Sequence, residues 1–329
     1  MALTNGQYDL ILQRIRSRRK RAEAEFEARK EKLDRDFPEL RLLRERLSDI
    51  TVRRLQAKLS NDEDAIRALR KEEADVQASL SAVYEKAGVD PLSFGPRYSC
   101  NKCNDTGIVN GKKCSCFLSE ELSVLYGSSH LTALLRNRNF GSLSTELYSS
   151  ERKPGAKESV RDLMMKQIGV CRTFAERFDE EHGSLLLYGP PGTGKTFLSC
   201  CIANELLATR HAVLYFSAVT LFDLLSKELR RDCDAPDEPA LSDHLTECDL
   251  LIIDDLGTEL VNAYTNSRLF HVVNERLLLG KSTVISTNLT LNELRERYSE
   301  RIASRIVSEY RCLSIPGEDL RLKKKMESV

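Results

Sequence analysis

The sequence predicts an α/β protein in which a parallel sheet flanked by helices, in residues 161–329, follows an α-helical, coiled-coil-like region and a small four-cysteine segment. In the C-terminal half, apolar runs of strand length alternate with helical patterns, which is typical of a parallel sheet. Residues 1–90 are dense in charge, almost free of Gly and Pro, and carry apolar residues at helical spacing. The four cysteines lie in residues 97–118, and we assign the mixed stretch 119–160 to a linker.

Composition limits the classes of function. The chain has 329 residues and a formal net charge of zero, so a nucleic-acid site must come from a local patch of charge. The N-terminus lacks the apolar stretch of a signal peptide, and no apolar run is long enough to span a bilayer. We therefore expect a cytoplasmic protein whose ten cysteines do not form disulfides, and in which most of the six cysteines outside the four-cysteine segment are small buried apolar residues.

The N-terminal 90 residues are predicted to form two or three long helices that fold as a hairpin or a small bundle. Pro38 suits a first helical turn, and Ser60–Glu63 resembles a capping box that begins another helix. A narrow apolar seam indicates that these helices pack on one another or on a partner. The seam consists of Leu40, Leu43, Leu47 and Ile50, and then of Ile66, Leu69, Val76, Leu80 and Val83.

The cysteine segment has the pattern C-x₂-C, ten residues, then C-x-C, formed by Cys100, Cys103, Cys114 and Cys116. Four thiolates can close a tetrahedral structural zinc site, and they leave no open position for catalysis. Asn110-Gly111 between the two pairs predicts the turn of a short hairpin. The C-x-C pair is tighter than usual, so free thiols or a redox switch remain alternatives.

The strongest motif follows the predicted strand Ser184–Tyr188. Glycines there allow backbone N–H groups to surround phosphate oxygens at a helix N-terminus, and a lysine reaches the β and γ phosphates. The helix-forming stretch Phe197–Ala208 comes directly after it. The predicted nucleotide-binding residues are Gly189, Pro190, Pro191, Gly192, Thr193, Gly194, Lys195, Thr196, Phe197 and Asp254.

Further strands are predicted at Ala212–Ser217, Leu250–Asp254, Thr283–Thr287 and Cys312–Ile315, and a helix at Leu118–Leu135. The strand that begins at Leu250 ends in two acids. Asp254 would hold Mg²⁺ together with the Thr196 hydroxyl, and Asp255 would orient or deprotonate the attacking water.

Polar and basic residues after these strands complete the candidate site. Asn288 ends another strand and would help to position water, although alone it could be an ordinary turn residue. Arg301 and Arg305 are four residues apart on one helix face, and either could reach a phosphate or remain a surface arginine.

In this order, the segments GPPGTGKT, LLIIDDLG, STN and ERIASRI resemble those of the AAA+ ATPases, and within them the DnaC/DnaI/IstB branch of helicase loaders and transposition helpers. The resemblance covers roughly residues 135–320. It implies that Asn288 is sensor 1 and that Arg305, or else Arg301, is an arginine finger. The few residues after Arg305 imply an AAA+ domain without a full C-terminal lid, in which Arg321 could make a sensor-2-like contact.

The resemblance implies a helicase loader in DNA replication, which uses ATP, Mg²⁺ and Zn²⁺ and self-associates through its AAA+ interfaces. Its partners would be a hexameric, DnaB-like replicative helicase, docked on the N-terminal helices, and single-stranded DNA. An IstB-like transposition helper is the alternative. An unfoldase is disfavoured because Leu221–Cys233 lacks an aromatic pore loop, and the acids at 254–255 argue against a vestigial ATPase. Cations that would contact DNA phosphates are Arg295, Arg297, Arg301, Arg305, Arg311 and Lys323–Lys325, the last three being equally explained as a solubilising tail.

Overall fold

A computed structural model describes residues 3, 5–91, 93–126, 135, 137–152, 154–155, 157–229 and 241–327. The chain divides into two compact units: one contains Arg14–Asp105, and the other contains Met1–Gln13 together with Thr106–Val329. The predicted division at 1–90, 97–118, 119–160 and 161–329 remains a prediction.

Three helices account for the N-terminal 90 residues, as the helical spacing predicts: α1 (Asn5–Asp36), α2 (Pro38–Leu59) and α3 (Glu63–Lys86). Pro38 lies in the first turn of α2, where its missing N–H costs no hydrogen bond.

The capping prediction at Ser60 is wrong. Ser60 closes α2, and its hydroxyl donates to the carbonyls of Gln56 and Ala57, both at 3.2 Å. The N-cap of α3 is Asp62, whose backbone is extended and whose carboxylate accepts the N–H of Ala65 at 3.0 Å. Three candidate caps stand side by side in this sequence, and only the backbone conformation distinguishes them.

Helices α2 and α3 pack on each other within the chain. Ile50 and Ala57 of α2 are buried with Leu69 and Val76 of α3, so the predicted seam is an intrachain contact. Ion pairs such as Arg46–Glu72, at 3.1 Å, line its edge. On α2, four large apolar side chains remain exposed, and the last three follow one another at helical spacing: Leu42 (67%), Val52 (53%), Leu55 (60%) and Leu59 (82%).

A two-stranded antiparallel hairpin follows the first cysteine pair, with strands β1 (Ile108–Val109) and β2 (Lys112–Lys113). Asn110 and Gly111 between them both have positive φ, 50° and 77°, which confirms the predicted turn. Helix α4 (Ser115–Tyr126) begins slightly before the predicted helix, and residues 127–134 lie outside the described part of the chain.

The second unit contains a five-stranded parallel sheet, as predicted. Its spatial order is β4-β5-β6-β3-β7, and each predicted strand matches an observed one to within two residues at either end. The strands are β3 (Ser184–Tyr188), β4 (Val213–Ser217), β5 (Leu250–Leu256), β6 (Ser282–Thr287) and β7 (Tyr310–Ser314).

Helices cover both faces of this sheet, and two separate apolar cores lie between the layers. None of the helices described across residues 5–327 is long and apolar enough to cross a membrane. The helices are α5 (Val160–Glu176), α6 (Lys195–Ala208), α7 (Ala218–Leu229), α8 (Leu241–Glu247), α9 (Ala263–Leu278), α10 (Leu291–Arg297), α11 (Glu300–Glu309) and α12 (Leu320–Glu327).

The fully buried guanidinium of Arg276 in α9 holds the starts of β5 and β6 together. It donates to the carbonyls of Cys248 at 3.0 Å and Ser282, and to the hydroxyl of Thr283 at 3.0 Å. It also donates to the carbonyl of Leu245. Backbone carbonyls thus replace water around this buried cation, and one guanidinium hydrogen-bonds to the segments at the starts of both β5 and β6.

The cysteines outside the four-cysteine segment largely behave as small apolar residues. Cys171, Cys200, Cys201 and Cys248 are buried and Cys312 is half-buried, all as free thiols. Burial raises the pKa of Cys171 to about 12, so it is protonated and unreactive at neutral pH. Cys233 lies outside the described residues.

Candidate functional site

The glycine loop joins the end of β3 to the first turn of α6, as its motif requires. Gly189, Gly192 and Gly194 have positive φ values of 146°, 74° and 104°. A Cβ on Gly189 would lie 2.3 Å from the carbonyl oxygen of Ile315, a contact that no side chain tolerates. The loop therefore needs glycine both for its backbone conformation and for the close approach of Ile315, the residue after β7.

The Lys195 ammonium lies inside this loop. Its Nζ donates to the carbonyl oxygens of Gly189 at 2.8 Å and Pro190 at 2.6 Å. Burial lowers the pKa of Lys195, and the charges of Asp255 and Asp254 oppose that shift. The lysine thus presents a cation to the cavity beside two carboxylates.

Asp254 lies at the carboxyl end of β5 and is buried among hydroxyl groups. Its Oδ1 accepts from Thr196 Oγ1 at 3.2 Å and from Ser286 Oγ, and its Oδ2 accepts from Tyr215 OH at 2.9 Å. The Thr196 hydroxyl and the Asp254 carboxylate thus place two potential metal-ligand oxygens next to each other. Hard divalent cations such as Mg²⁺ prefer oxygen ligands, so this pair fits the predicted magnesium site.

Asp255 occupies a β-bulge between β5 and β6, where Ile253 pairs with Ile285 but Leu256 pairs with Thr287. Its backbone is left-handed, with φ of 56°, and its N–H donates to Ser286 Oγ at 2.9 Å. Burial, and then the charge of Asp254, raises the pKa of the Asp255 carboxyl. Such a carboxylate holds a proton more readily than an exposed aspartate does, which suits a general base.

A cavity of about 890 Å³ brings the predicted residues together. Lys195, Thr196, Asp254, Asp255 and Asn288 all line it, because each lies at or after the carboxyl end of one of three parallel strands, β3, β5 or β6. The predicted residue Phe197 also lines it, together with apolar side chains that no motif indicates: Leu125, Leu143, Leu147, Phe216 and Leu224. A cavity with one charged cluster and an apolar lining suits a ligand that joins phosphates to a flat ring.

Two segments outside the glycine-loop and acidic motifs pack on the glycine loop, and the second contains Arg321, the candidate for a sensor-2-like contact. Tyr148 OH donates to the Thr193 carbonyl at 2.9 Å, although Tyr148 belongs to the stretch interpreted as a linker. Near the C-terminal end, the N–H of Leu320 donates to the Gly192 carbonyl at 3.1 Å. Arg321 lines the cavity and pairs with Asp319 at 3.1 Å. No local pattern predicts the contacts of Tyr148 and Leu320 with the loop, because each joins residues more than forty positions apart.

The two candidate finger residues do not line the cavity. Arg301 and Arg305 lie on the exposed side of α11, and Ile302 and Ile306 are buried on its other side. The arginine-finger role of either residue remains a prediction. The side chains of the lysine tract are described only as far as Lys323.

The Sγ atoms of Cys100, Cys103, Cys114 and Cys116 all lie within 4.8 Å of one another, and all four residues are buried. The Asp105 carboxylate accepts the N–H groups of Ser99 at 2.8 Å and Cys100 at 3.1 Å, which fixes the first turn. Zinc–sulfur bonds of about 2.3 Å separate tetrahedral sulfurs by about 3.8 Å, so this donor set fits zinc.

The parallel sheet, the glycine loop with its lysine, and the acids at the end of β5 define a P-loop ATPase of the AAA+ type. More narrowly, the chain belongs to the family of IstB-like ATP binding proteins, which matches residues 159–328.

Similar proteins include replicative helicase loaders and a protein of a phage-like element. The replicative helicase loader DnaC of Escherichia coli strain K12 is 31% identical over 144 residues, which are 43% of this chain and 57% of DnaC. The phage-like element PBSX protein XkdC of Bacillus subtilis is 29% identical over 254 residues, 72% of this chain and 90% of XkdC. A crystal structure of the DnaC helicase loader has a TM-score of 0.43 and 22% identity, covering 55% of this chain and 98% of that one. The chain thus spans only a little over half the length of the DnaC loaders it matches.

Proposed function

We propose that this chain is an ATP-dependent helicase loader in DNA replication, in which an ATP-switched AAA+ assembly binds single-stranded DNA and delivers a hexameric, DnaB-like helicase. The observation that carries the proposal is the single cavity lined by Lys195, Asp254 and Asp255. It occurs in a chain similar to replicative helicase loaders.

In this proposal the glycine loop and Lys195 bind the phosphates of ATP, and Phe197 and the apolar lining hold the rest of the nucleotide. Thr196 and Asp254 would hold Mg²⁺, which neutralises phosphate charge when bound. Asp255 accepts the proton of the attacking water, and Asn288 orients that water from the neighbouring strand. Each role needs only a short reach, because all these side chains line one cavity.

The exposed arginines of α11 are proposed to act on a second copy of the chain. Arg305, with Arg301 as the alternative, would reach the γ phosphate bound by a neighbouring subunit and stabilise charge in the transition state. Both arginines are exposed and lie outside the cavity of their own chain, which supports action between subunits. ATP would then favour assembly, and hydrolysis would loosen it.

The helicase would dock on the N-terminal helices. Helix α2 carries the exposed apolar row Val52, Leu55 and Leu59, which is typical of a helix face that binds a partner. Single-stranded DNA would bind through phosphate contacts to basic side chains of the AAA+ domain, among them Arg295, Arg297 and Arg311. We further propose a cytoplasmic location and a structural zinc ion held by the four clustered cysteines.

Size exclusion with light scattering tests this function. The full-length protein is mixed with the replicative helicase of its host, with and without ATP, and compared with a Leu55→Asp/Leu59→Asp variant. These exposed substitutions leave the buried α2–α3 seam intact, so a loss of complex would assign docking to α2. Lys195→Ala serves as the nucleotide control. If no complex forms under any condition but ATP-dependent filaments form on DNA, the transposition helper replaces the loader.

A further inference from the structure

A buried hydrogen-bonded pair, Glu259 and Tyr298, lies outside the nucleotide cavity and joins two parts of the AAA+ domain. The side chains are 4% and 3% exposed. Glu259 Oε2 accepts the N–H of Gly257 at 2.8 Å, and Oε1 accepts the hydroxyl of Tyr298. Burial raises the pKa of Tyr298, so its hydroxyl keeps its proton and donates.

One side of this pair leads to the nucleotide site. The carbonyl of Asp255 accepts both the N–H and the hydroxyl of Thr258, at 3.2 and 2.8 Å. Gly257 packs so closely that a Cβ there would lie 2.7 Å from Leu289, the neighbour of Asn288. The backbone between the proposed base and Glu259 is therefore held by short contacts, and a shift of Asp255 cannot be absorbed locally.

The other side leads to the helix that carries the exposed arginines. The N–H of Tyr298 closes α10 by donating to the Leu294 carbonyl at 3.1 Å. The next residue, Ser299, is the N-cap of α11, and its carbonyl accepts the N–H groups of Ile302 and Ala303 at 2.9 and 3.1 Å. The position of Tyr298 therefore sets where α11 begins.

We propose that Glu259 and Tyr298 are positioning residues that couple nucleotide binding at Asp255 to the position of α11. The proposal rests on the proposed function only in that the cavity binds ATP. A carboxylate–phenol hydrogen bond is strong in a buried setting, so the loop after β5 and the start of α11 move as one element. Loss of the phenol hydroxyl leaves Glu259 with its backbone donor and frees the two elements from each other.

Hydrogen exchange of the full-length protein, with and without a non-hydrolysable ATP analogue, tests this coupling. The readout is the exchange rate of peptides that cover Ser299–Glu309, and the affinity for the analogue is measured separately by fluorescence. The variants are Tyr298→Phe and Glu259→Met, whose side chain is similar in length and can make neither hydrogen bond. Tyr310→Phe is the matched control, because Tyr310 is an equally buried tyrosine at the opposite end of α11.

In the wild type and in Tyr310→Phe, the analogue should slow exchange in these peptides by about threefold or more. Tyr298→Phe and Glu259→Met should bind the analogue with affinity within about twofold of the wild type, yet lose that slowing. The coupling is overturned if either variant binds the analogue and keeps the slowing, or if the wild type binds it without slowing. A wild type that binds no analogue would instead overturn the proposed function.

Discussion

The hydroxyl of Tyr215 donates to the carboxylate that is proposed to hold Mg²⁺, so Tyr215→Phe should weaken Mg²⁺ binding. Tyr215 OH donates to Asp254 Oδ2 at 2.9 Å. Burial, and then the charge of Asp254, raises the pKa of Tyr215, so the hydroxyl remains a donor across the working pH range. The substitution removes this donor and changes little else in the shape of the side chain.

The size of the effect follows from the number of donors. Asp254 accepts hydrogen bonds from the hydroxyls of Thr196, Tyr215 and Ser286. Among the described side chains, Tyr215 is the one that donates to Oδ2. A hydrogen bond to a charged group contributes about 1.5–3 kcal/mol. Loss of one that orients a metal ligand typically costs about 10–100-fold in metal affinity.

Magnesium titrations of ATP hydrolysis measure this effect. In Tyr215→Phe the half-saturating Mg²⁺ concentration should rise by about tenfold or more, while kcat at saturating Mg²⁺ stays within about threefold of the wild type. Tyr310→Phe, which removes a buried hydroxyl from β7, should leave both values unchanged. An unaltered Mg²⁺ dependence in Tyr215→Phe would refute the assignment of Asp254 to the metal.

Other expectations follow from the described contacts. Lys195→Ala should raise the Kd for ATP by about 100-fold, and unchanged binding of a fluorescent nucleotide would contradict the phosphate-loop assignment. Because the pKa of Asp255 is raised, its carboxylate takes up a proton more readily. In a pH–rate profile, hydrolysis should therefore fall on acidification at a pH above the usual pKa of an aspartate. Arg276→Met leaves several buried carbonyls without a hydrogen-bond donor and should lower Tm by about 10 °C in a thermal scan. Arg276→Lys should lower Tm by less. An unchanged Tm would show that the guanidinium does not stabilise the strands. Purified protein should contain about one zinc per chain by elemental analysis and lose it in Cys103→Ser, and metal-free wild type would reject the site.

The sheet could be predicted from the sequence because parallel strands are buried on both faces. The run Leu250–Ile253 at the start of β5 is therefore continuously apolar, and the acids that follow it mark the edge of the sheet. The glycine loop and the acid pair Asp254–Asp255 are contiguous motifs, so their residue types can be recognised directly in the sequence. Local patterns of this kind specify the polar part of the cavity.

The remaining parts of the site depend on contacts between distant residues. Tyr148 reaches the loop across 45 positions, and Tyr215 reaches Asp254 across 39. Neither tyrosine has a neighbour pattern that distinguishes it from an ordinary core residue. The packing of β4 beside β5 brings Tyr215 to Asp254, and the packing of the segment before α5 brings Tyr148 to the glycine loop.

The bulge at Asp255 makes the length of this short segment as important as its composition. Successive side chains of a regular strand point to opposite faces, yet both Asp254 and Asp255 line the cavity. The extra residue also returns Leu256 to the buried layer, where it is 1% exposed. Deleting one residue here would restore a regular ladder but send one acid away from the cavity and an apolar side chain towards it. Insertions and deletions should therefore be rejected in this segment during evolution, even where individual side chains can vary.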